Sequence, residues 1–388
     1  MLKKLRLLSL GHSYVVAQNR RLAHEMARAG EGWEVTAAAP RFFPGDLRPI
    51  ALEALAGEAC ALAPLETHAG RWPHLFGYGR ELRPLLAQGW DVVHCWEEPY
   101  VRAAAQVARY APAGAALAVA TAQNLAKSYP PPFRGFERRV MQRAAGWIGF
   151  GETVVQTLAS RELYASLPHR RIALGVDCER FYPDPAAGAA VRRELGWHEA
   201  GPPVIGYLGR FVPEKGLPLL LSVLEKLGTS WRLLLAGGGP MQAELETWAR
   251  RFPGRLRIAN GITHDQVPRY LNAMDVLCAP SQTTPRWREQ FGRMLVEAFA
   301  CGIPVMASRS GEIPYVVGEA GCLLAEDDAA AWRAELGRLL ENSGRRRELA
   351  QAGRERALRN YAWPVIARRH LEFFQDILER RAASARRS

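Results

Sequence analysis

Short hydrophobic runs alternate with amphipathic stretches through the first half of the chain. Between the runs the apolar positions follow helical spacing, as in Asn19–Ala29, where Leu22 and Met26 share one face. This alternation predicts a parallel sheet that is covered by helices on both faces. The runs that we interpret as strands are Leu5–Leu10, Trp33–Ala39, Asp91–His94, Ala116–Thr121 and Trp147–Phe150.

A second series of the same kind begins near Pro203. Its predicted strands are Val204–Leu208, Trp231–Ala236, Leu256–Ile258, Asp275–Ala279 and Pro304–Ala307. Its predicted helices are Leu217–Leu227, Met241–Arg251, Thr263–Asn272 and Gly292–Ala300. Two series predict an α/β chain of two doubly wound, Rossmann-like domains facing a cleft, with ligands beyond the carboxyl ends of the strands.

The domain boundary is expected between Asp177 and Pro203, where Phe181–Gly188 (FYPDPAAG) is typical of a connector. We therefore predict one domain over residues 1–180 and a second over residues 181–364. Ala329–Glu341 and Arg345–Asn360 are predicted helices, Pro364 interrupts the pattern, and Val365–Arg381 resumes it. The tail after Arg381 is expected to fray.

Composition narrows the class of protein only slightly. A chain of 388 residues is too long for one ordinary core and suits two domains. The formal net charge of +12 favours acidic partners such as phosphorylated substrates or anionic lipid. The six cysteines are scattered singly, without zinc-site spacing, which indicates reduced thiols and a cytoplasmic location.

The N-terminus is basic and then apolar, as in a signal peptide. Its apolar run is short and no small-residue cleavage site follows, so we interpret it as the first strand. The sequence contains no run of about 18 apolar residues, so no transmembrane helix is predicted.

Two glycine-containing loops follow strands of the second series. The first, Gly209–Gly216, contains Arg210 and Lys215, two cations placed where a diphosphate would need them. The alternative is that both are solvated surface charges. The second loop, Gly237–Pro240, lacks the G-x-G-x-x-G spacing of nicotinamide-binding folds and is compatible with a plain tight turn.

The most informative segment is Trp287–Val305. Gly292 opens a predicted helix, whose first N–H groups can bind phosphate. Glu297 lies one to two turns inside that helix, within reach of ribose hydroxyls, and Glu289 precedes it, where it can hydrogen-bond a sugar. The alternative is a surface helix with two ordinary acids, which the apolar residues around Glu297 make less favourable.

Six motifs occur in the order found in a known family. They are GVDCERFYPD (Gly175–Asp184), GRFVPEKG, LLLAGGGP, NGITHDQVPRYLNAMDVLCAPS (Asn260–Ser281), the E-x7-E segment and SGEIPYVV (Ser310–Val317). Together they resemble the retaining glycosyltransferases of family 4, the glycosyl transferases group 1, which have the GT-B fold. The resemblance is dense over roughly residues 171–324 and looser in the N-terminal half, as expected if that half binds a variable acceptor. It also implies that the last helix, about residues 365–388, returns to pack on the first domain, with Leu371, Phe374 and Ile377 as candidate contacts.

The resemblance implies a hexosyl transfer from a nucleotide sugar, with retention of configuration, without a metal and without a cofactor. Arg210 and Lys215 would neutralise the donor diphosphate, Glu289 would bind the sugar hydroxyls, and Glu297 would bind the ribose. The other implied donor-binding residues are Gly11, Gly209, Gly237, Asn260, Gly261, Ile262, Phe291, Gly292, Arg293, Met294 and Leu295. The donor base stays open among UDP, GDP and ADP.

One departure from the family concerns a histidine that contacts the donor sugar in many relatives. Gln123 or Asn124 stands roughly at its place, and neither can act as a general base. The alternative polar groups are His94, Glu97 and Glu98, among which Glu98 is a candidate for a direct catalytic role or for a capping acid. His12 is a candidate contact for acceptor or donor, or an ordinary loop histidine.

Twelve arginines crowd the segment between Arg345 and Arg387. They indicate either attraction to an anionic membrane that carries a lipid-linked acceptor, or simply solvated helix faces. Nucleic-acid binding is not favoured, because no recognition module accompanies the charge.

The function predicted from the sequence is sugar transfer to a polysaccharide, glycolipid or other cell-envelope precursor, in the cytoplasm or on the inner face of the plasma membrane. The alternatives are a nucleotide-sugar epimerase of the same architecture and a non-catalytic GT-B partner protein.

Overall fold

The computed structural model describes residues 4–45, 49–197 and 201–386. The chain divides into two compact units. Unit 1 comprises Met1–Gly175 and Trp363–Ser388, and unit 2 comprises Val176–Ala362. The chain thus leaves unit 1 a few residues before the predicted boundary at 180.

Unit 1 is built on a parallel sheet. In the described part of the unit its strands and small pairing segments are β1 Leu5–Leu10, β2 Trp33–Pro40, β3 Phe42–Phe43, β4 Ile50–Ala51, β5 Ala61–Leu65, β6 Thr67–His68, β7 Gly77–Tyr78, β8 Val92–Cys95, β9 Ala116–Thr121, β10 Gly146–Gly149 and β11 His169–Arg171. The sheet order is β11-β10-β9-β8-β1-β2-β5, and β3–β4 and β6–β7 form short antiparallel pairs. All five predicted strands are confirmed within one or two residues.

The two edge strands of this sheet were not predicted. Ala61–Leu65 is largely exposed and contains Pro64, while His169–Arg171 is short and polar. Edge strands need no continuous apolar run, because one side lacks a neighbouring strand.

Helices separate the strands of unit 1. They are α1 Ala17–Ala29, α2 Leu82–Leu86, α3 Arg102–Tyr110, α4 Phe133–Arg143, α5 Glu152–Leu158 and α6 Glu162–Ala165. On one face of the sheet, Val93, Leu117 and Trp147 pack in a core with α3 and α4 residues such as Val107 and Val140.

Unit 2 repeats the plan with a parallel sheet of order β14-β13-β12-β15-β16-β17. Its helices and strands within the described residues are α7 Pro185–Glu194, β12 Val204–Arg210, α8 Leu217–Glu225, β13 Arg232–Gly238, α9 Gln242–Ala249, β14 Leu256–Ala259, α10 Val267–Asn272, β15 Val276–Ala279, α11 Arg293–Ala300, β16 Val305–Ser308, α12 Ile313–Val317, β17 Cys322–Leu324, α13 Ala329–Glu341 and α14 Ser343–Asn360. The doubly wound α/β prediction is confirmed for both units.

The interpretation of Phe181–Gly188 as a connector is wrong in its second half. Asp184 caps α7, since its carboxylate accepts a hydrogen bond from the Ala187 N–H at 2.9 Å. Pro185 occupies the first turn, where a missing N–H costs nothing. The dipeptide Asp-Pro was therefore a helix-start signal.

The last helix, α15 (Trp363–Ala385), returns to unit 1 as predicted. It packs against α1, and the predicted contact residues Leu371, Phe374 and Ile377 are all buried in a core with Leu7 and Met26. The tail predicted to fray is helical as far as Ala385, whereas Arg387 and Ser388 lie outside the described residues.

Candidate functional site

The strand order of unit 2 reverses between β12 and β15. The chain passes from β12 to β13 and β14 on one side, and then continues with β15, β16 and β17 on the other. Loops that follow the two strands at such a reversal diverge and leave room for a ligand at the carboxyl edge. Lys215 follows β12, and Ser281 and Glu289 follow β15, so the predicted site lies at this switch point.

Lys215 and Glu289 are in direct contact. The Lys215 Nζ lies 2.5 Å from Glu289 Oε2, and the Ser281 hydroxyl donates to the same oxygen at 3.0 Å. The ammonium also lies 4.9 Å from the centroid of the Trp287 ring. Both charged side chains are nearly buried, with 14% and 8% of their surfaces exposed. The sequence assigned these two residues separate partners, and their pairing was not predicted.

Glycines allow the two loops after β12 and β13 to approach closely. Gly209 and Gly237 are paired in register, and a Cβ on Gly237 would lie 1.9 Å from the Gly209 carbonyl oxygen. Gly216 has φ +75° at the start of α8, and its missing Cβ leaves room for the Pro280 carbonyl. Backbone atoms therefore line this edge of the sheet where side chains would otherwise fill it.

Gly292 immediately precedes α11 and has φ +78°. The sequence predicted that the helix opens at this residue. Within this predicted phosphate-binding turn, the Leu295 N–H donates to the Gly292 carbonyl at 2.9 Å. Phe291, Arg293 and Met294 occupy the predicted positions around this helix start, Phe291 buried and the other two partly exposed.

Glu297 is only 4% exposed, inside α11, and its Oε1 lies 3.8 Å from His264 Nε2. Burial and the charges of Arg180 and Arg293 lower the pKa of His264 to about 4, so this histidine is neutral at pH 7. Burial also lowers the pKa of Arg293, against the opposing effect of Glu297. The start of α11 thus combines a buried carboxylate with a neutral imidazole.

Except for Gly11, the remaining predicted donor residues lie along the same edge of unit 2. Arg210 ends β12 with an exposed side chain, and Asn260, Gly261 and Ile262 form the loop after β14, with Gly261 at φ +66°. Gly11 belongs to unit 1, at the end of β1, where an added Cβ would press on Trp96 at 3.0 Å.

Unit 1 has a switch point of its own, between β1 and β8. His12 follows β1, and its Nδ1 lies 2.6 Å from Glu97 Oε2, just beyond β8. The Tyr78 hydroxyl and the His12 N–H each donate to the other Glu97 oxygen at 2.5 Å. Glu97 is 2% exposed, whereas the His12 side chain is 39% exposed. Burial and the nearby carboxylate raise the pKa of Tyr78, so it stays a donor.

The rings of Phe43 and Phe76 flank His12 at centroid distances of 4.8 and 5.3 Å. The sequence offered His12 and Glu97 as separate candidates and did not predict that they meet. The strand-end positions of both were the only signal, because 84 residues separate them along the chain.

Other polar candidates of unit 1 have structural partners. Glu98 accepts hydrogen bonds from the Thr121 hydroxyl at 2.6 Å and the Ala122 N–H at 2.7 Å, as a capping acid would. Burial raises the pKa of Glu98. Gln123 and Asn124 are buried in the loop after β9. His94 lies near the predicted strand end, as the penultimate residue of β8, but it is fully buried and hydrogen-bonded to Ser9 at 2.9 Å.

No group of three or more His, Cys, Asp or Glu side chains in 4–45, 49–197 and 201–386 is placed to hold a metal ion. No helix in these ranges is both long and apolar enough to cross a bilayer.

The sequence profile of the glycosyl transferases group 1 matches residues 192–356. A GDP-mannose-dependent alpha-(1-6)-phosphatidylinositol monomannoside mannosyltransferase of Mycolicibacterium smegmatis is 33% identical over 228 residues, which are 56% of this chain and 59% of that protein. A D-inositol 3-phosphate glycosyltransferase of Salinispora tropica is 30% identical over 359 residues, 86% of this chain and 71% of that protein. The chain thus spans between half and three quarters of the curated relatives it matches.

Solved structures share the fold at low sequence identity. Sucrose-phosphate synthase from Thermosynechococcus elongatus has a TM-score of 0.72 at 20% identity, covering 97% of this chain and all of that one. Anabaena Alr3699/HepE, solved in complex with UDP, has a TM-score of 0.71 at 18% identity, covering 96% of this chain and all of that one. With the two parallel-sheet units and the returning α15, the relatives establish that the chain belongs to glycosyltransferase family 4, the glycosyl transferases group 1, and has the GT-B fold.

Proposed function

We propose that this protein transfers a hexose from a nucleotide sugar to a cell-envelope precursor, with retention of configuration and without a metal ion. The observation that carries the proposal is the Lys215–Glu289 pair at the switch point of unit 2, beside the glycine-lined ends of β12 and β13. A diphosphate needs permanent cations and close backbone approach, and this edge offers both.

In this proposal Lys215 and Arg210 neutralise the diphosphate, and the first N–H groups of α11 contact its distal phosphate. Lys215 is fixed by Glu289 and Trp287 before the donor binds, so little reorganisation is needed as negative charge develops on the leaving group. Glu289 then shares its carboxylate between Lys215 and the sugar hydroxyls. Glu297 binds the ribose, and Asn260–Ile262 frame the base.

The chemical step that we propose needs no protein base. The acceptor hydroxyl oxygen bonds to the anomeric carbon on the face from which the diphosphate leaves. The bond between that carbon and the diphosphate oxygen breaks, and the leaving phosphate takes the hydroxyl proton. This fits the presence of Gln123 and Asn124 where many relatives have a histidine, because no imidazole is required for proton transfer.

The acceptor is proposed to bind at unit 1, on the inner face of the plasma membrane. The names of two relatives refer to inositol-containing acceptors, so phosphatidylinositol and D-inositol 3-phosphate are the first probes to try. The surplus of 12 positive charges suits an acidic acceptor of this kind.

The test combines GDP-mannose, UDP-glucose or ADP-glucose with each acceptor probe and follows nucleotide release and glycoside formation. We expect one donor to give a product whose anomeric configuration, read by NMR, equals that of the donor, and whose rate is unchanged by EDTA. An inverted product or loss of activity in EDTA would overturn the corresponding part of the proposal. An epimerised sugar nucleotide from donor alone would replace it with the epimerase alternative.

A further inference from the structure

A cavity of about 520 Å³ opens in unit 1 between α4 and the start of α6. Its volume lies within the range of roughly 300–1,000 Å³ that is usual for small-molecule sites. Neither of the two acid–cation pairs described above contributes to its lining. The cavity is therefore separate from both switch points, and its chemistry has to be argued from its own side chains.

One part of the lining is fixed by a buried ion pair. Glu137 of α4 is 2% exposed, and its two oxygens each lie 3.0 Å from a nitrogen of the Arg161 guanidinium. The Tyr164 hydroxyl donates to the same carboxylate at 2.8 Å, and burial and the neighbouring Glu137 raise the pKa of this phenol, so it stays a donor. Glu137 and Arg161 thus neutralise each other and hold this part of the cavity in one arrangement.

Five other polar side chains line the cavity without using their hydrogen-bonding groups inside the protein. All are exposed, and none makes a side-chain hydrogen bond or ion pair with any residue that the structure describes. They are Ser128, Arg134, Arg138, Gln142 and Glu162. The three on α4 are spaced four residues apart and share one face of the helix. The cavity therefore offers both free donors and free acceptors to a ligand.

This mixture favours a neutral ligand that carries several hydroxyl groups. A phosphate would meet the carboxylate of Glu162, and a metal ion or an amine would meet the guanidinium groups of Arg134 and Arg138. A sugar hydroxyl both donates and accepts, so one sugar ring can satisfy both kinds of group. Tyr129 adds an aromatic ring to the lining, which suits the apolar C–H groups of such a ring.

Tyr129 also connects the cavity with the unit 1 pair. Its ring stacks on that of Tyr100, with a centroid distance of 4.1 Å and an interplanar angle of 19°. Tyr100 lies in the segment that follows β8, three residues after Glu97, whereas Tyr129 lies in the segment before α4. The stacked rings thus join the loop that contains Glu97 to the loop that lines the cavity.

We propose that the cavity between α4 and α6 binds a neutral sugar unit of the acceptor, away from the hydroxyl that receives the hexose. Arg138 and Gln142 donate to hydroxyl groups of this sugar, Glu162 accepts from another, and the Tyr129 ring contacts its C–H groups. The site selects acceptors that already carry a sugar over simple alcohols. The inference deepens the proposed function, on which the role of this sugar as part of an acceptor rests.

The test is ligand-observed saturation-transfer NMR on the full chain, without a donor. The probes are neutral disaccharides of glucose, mannose, galactose and N-acetylglucosamine at millimolar concentration. At least one should bind, and Arg138→Ala should weaken its binding about 10-fold, because a hydrogen bond from a charged group is lost. The matched control is Arg139→Ala, the next residue of α4, which is also exposed but does not line the cavity and should bind as wild type.

Two variants of Tyr129 separate the contribution of its ring from that of its hydroxyl. Tyr129→Ala should weaken binding of the same disaccharide, whereas Tyr129→Phe keeps the ring and should bind as wild type. The inference is overturned if no disaccharide binds, if Arg138→Ala and Arg139→Ala lose equally, or if millimolar inorganic phosphate displaces the sugar, since that last result would indicate an anion site. Circular dichroism checks the fold of each variant.

A kinetic measurement tests the link to the acceptor. With an acceptor found active in the transfer assay, Arg138→Ala should raise the KM for that acceptor about 10-fold and leave kcat unchanged. An unchanged KM would show that the cavity does not serve the acceptor. Disaccharide binding requires neither donor nor turnover, so its failure is distinguishable from a failure of the proposed transfer reaction.

Discussion

The two units place an acid–cation pair at the same point of the same topology, and the pairs differ in kind. In unit 2, Lys215 and Glu289 form an ion pair that is nearly buried, beside glycine-lined backbone. In unit 1, His12 and Glu97 combine a titratable, half-exposed ring with a buried carboxylate, between Phe43 and Phe76. Neither pair resembles the other in sequence, although both follow the strands at which the order reverses.

The difference indicates different ligands. A fixed cation against open backbone suits a polyanion whose charge never changes, such as a diphosphate. A neutral or protonated imidazole oriented by a carboxylate, between aromatic rings, suits a hydroxyl-bearing ligand. We propose that unit 2 binds the donor and unit 1 the acceptor, so variants of the two pairs should have separable effects.

The largest expected effect is that of Lys215→Ala. It removes the cation opposite the leaving diphosphate, and loss of one preorganised electrostatic contact costs roughly 100- to 1,000-fold in kcat. The measurement is nucleotide release with the active donor, together with the thermal shift that the nucleotide diphosphate produces. The exposed Lys226→Ala, in the same unit, is the matched control and should be neutral. Unchanged turnover in Lys215→Ala would contradict the proposed role of the unit 2 pair in binding the donor diphosphate.

The candidate residues of unit 2 could be named together from the sequence because short contiguous segments contain most of them. Gly209–Gly216 and Glu289–Glu297 each contain the chemistry and the turn that presents it, so the motif and the site are nearly the same thing. The Lys215–Glu289 contact escaped prediction because it depends on the side-by-side placement of β12 and β15. Strand order is a property of the whole sheet and leaves no local pattern.

The contacts among the unit 1 residues were also not predicted, because they depend even more on how distant segments are brought together. His12, Tyr78 and Glu97 come from three distant segments, and each alone fits an ordinary loop or core residue. The burial of His94 was not predicted, because one polar residue near the end of an apolar run cannot reveal whether its side chain faces solvent or the core. By contrast, the helical pattern after Pro364 predicted α15 itself, while its return to unit 1 through Leu371, Phe374 and Ile377 was implied by the family resemblance.

A second prediction concerns the buried histidines behind the unit 1 pair. Burial lowers the pKa of His370 to about 4, and it lowers the pKa of His94, whose ring centroid lies 5.4 Å from that of His370. Between the ordinary value near 6.5 and about 4, the unfolded chain binds protons that the fold excludes. The free energy of unfolding should therefore fall as pH falls through this window, by about 3 kcal/mol for His370.

Denaturant titrations of wild type and His370→Leu at pH 7 and pH 4.5 measure this effect. The variant should lose much of the acid sensitivity, whereas the exposed His68→Leu should keep it. A pH dependence identical in His370→Leu and wild type would show that acid acts elsewhere. The result sharpens the comparison, because it separates acid effects on the stability of unit 1 from acid effects on its exposed His12.

The smallest expected effect is that of Glu97→Gln, which tests the proposed role of unit 1 in binding the acceptor. The amide can still accept from the Tyr78 hydroxyl, but it no longer offers His12 a negative charge, so the imidazole loses the partner that fixes its tautomer and orientation. Losing a hydrogen bond to a charged group costs about 10- to 100-fold. That loss should appear in acceptor-dependent turnover while nucleotide binding stays unchanged, and His12→Gln should shift the pH–rate profile as well.

The exposed Glu31→Gln controls for charge. If Glu97→Gln weakens nucleotide binding as much as transfer, the division of labour between the two pairs is wrong, because the unit 1 pair would then serve the donor too.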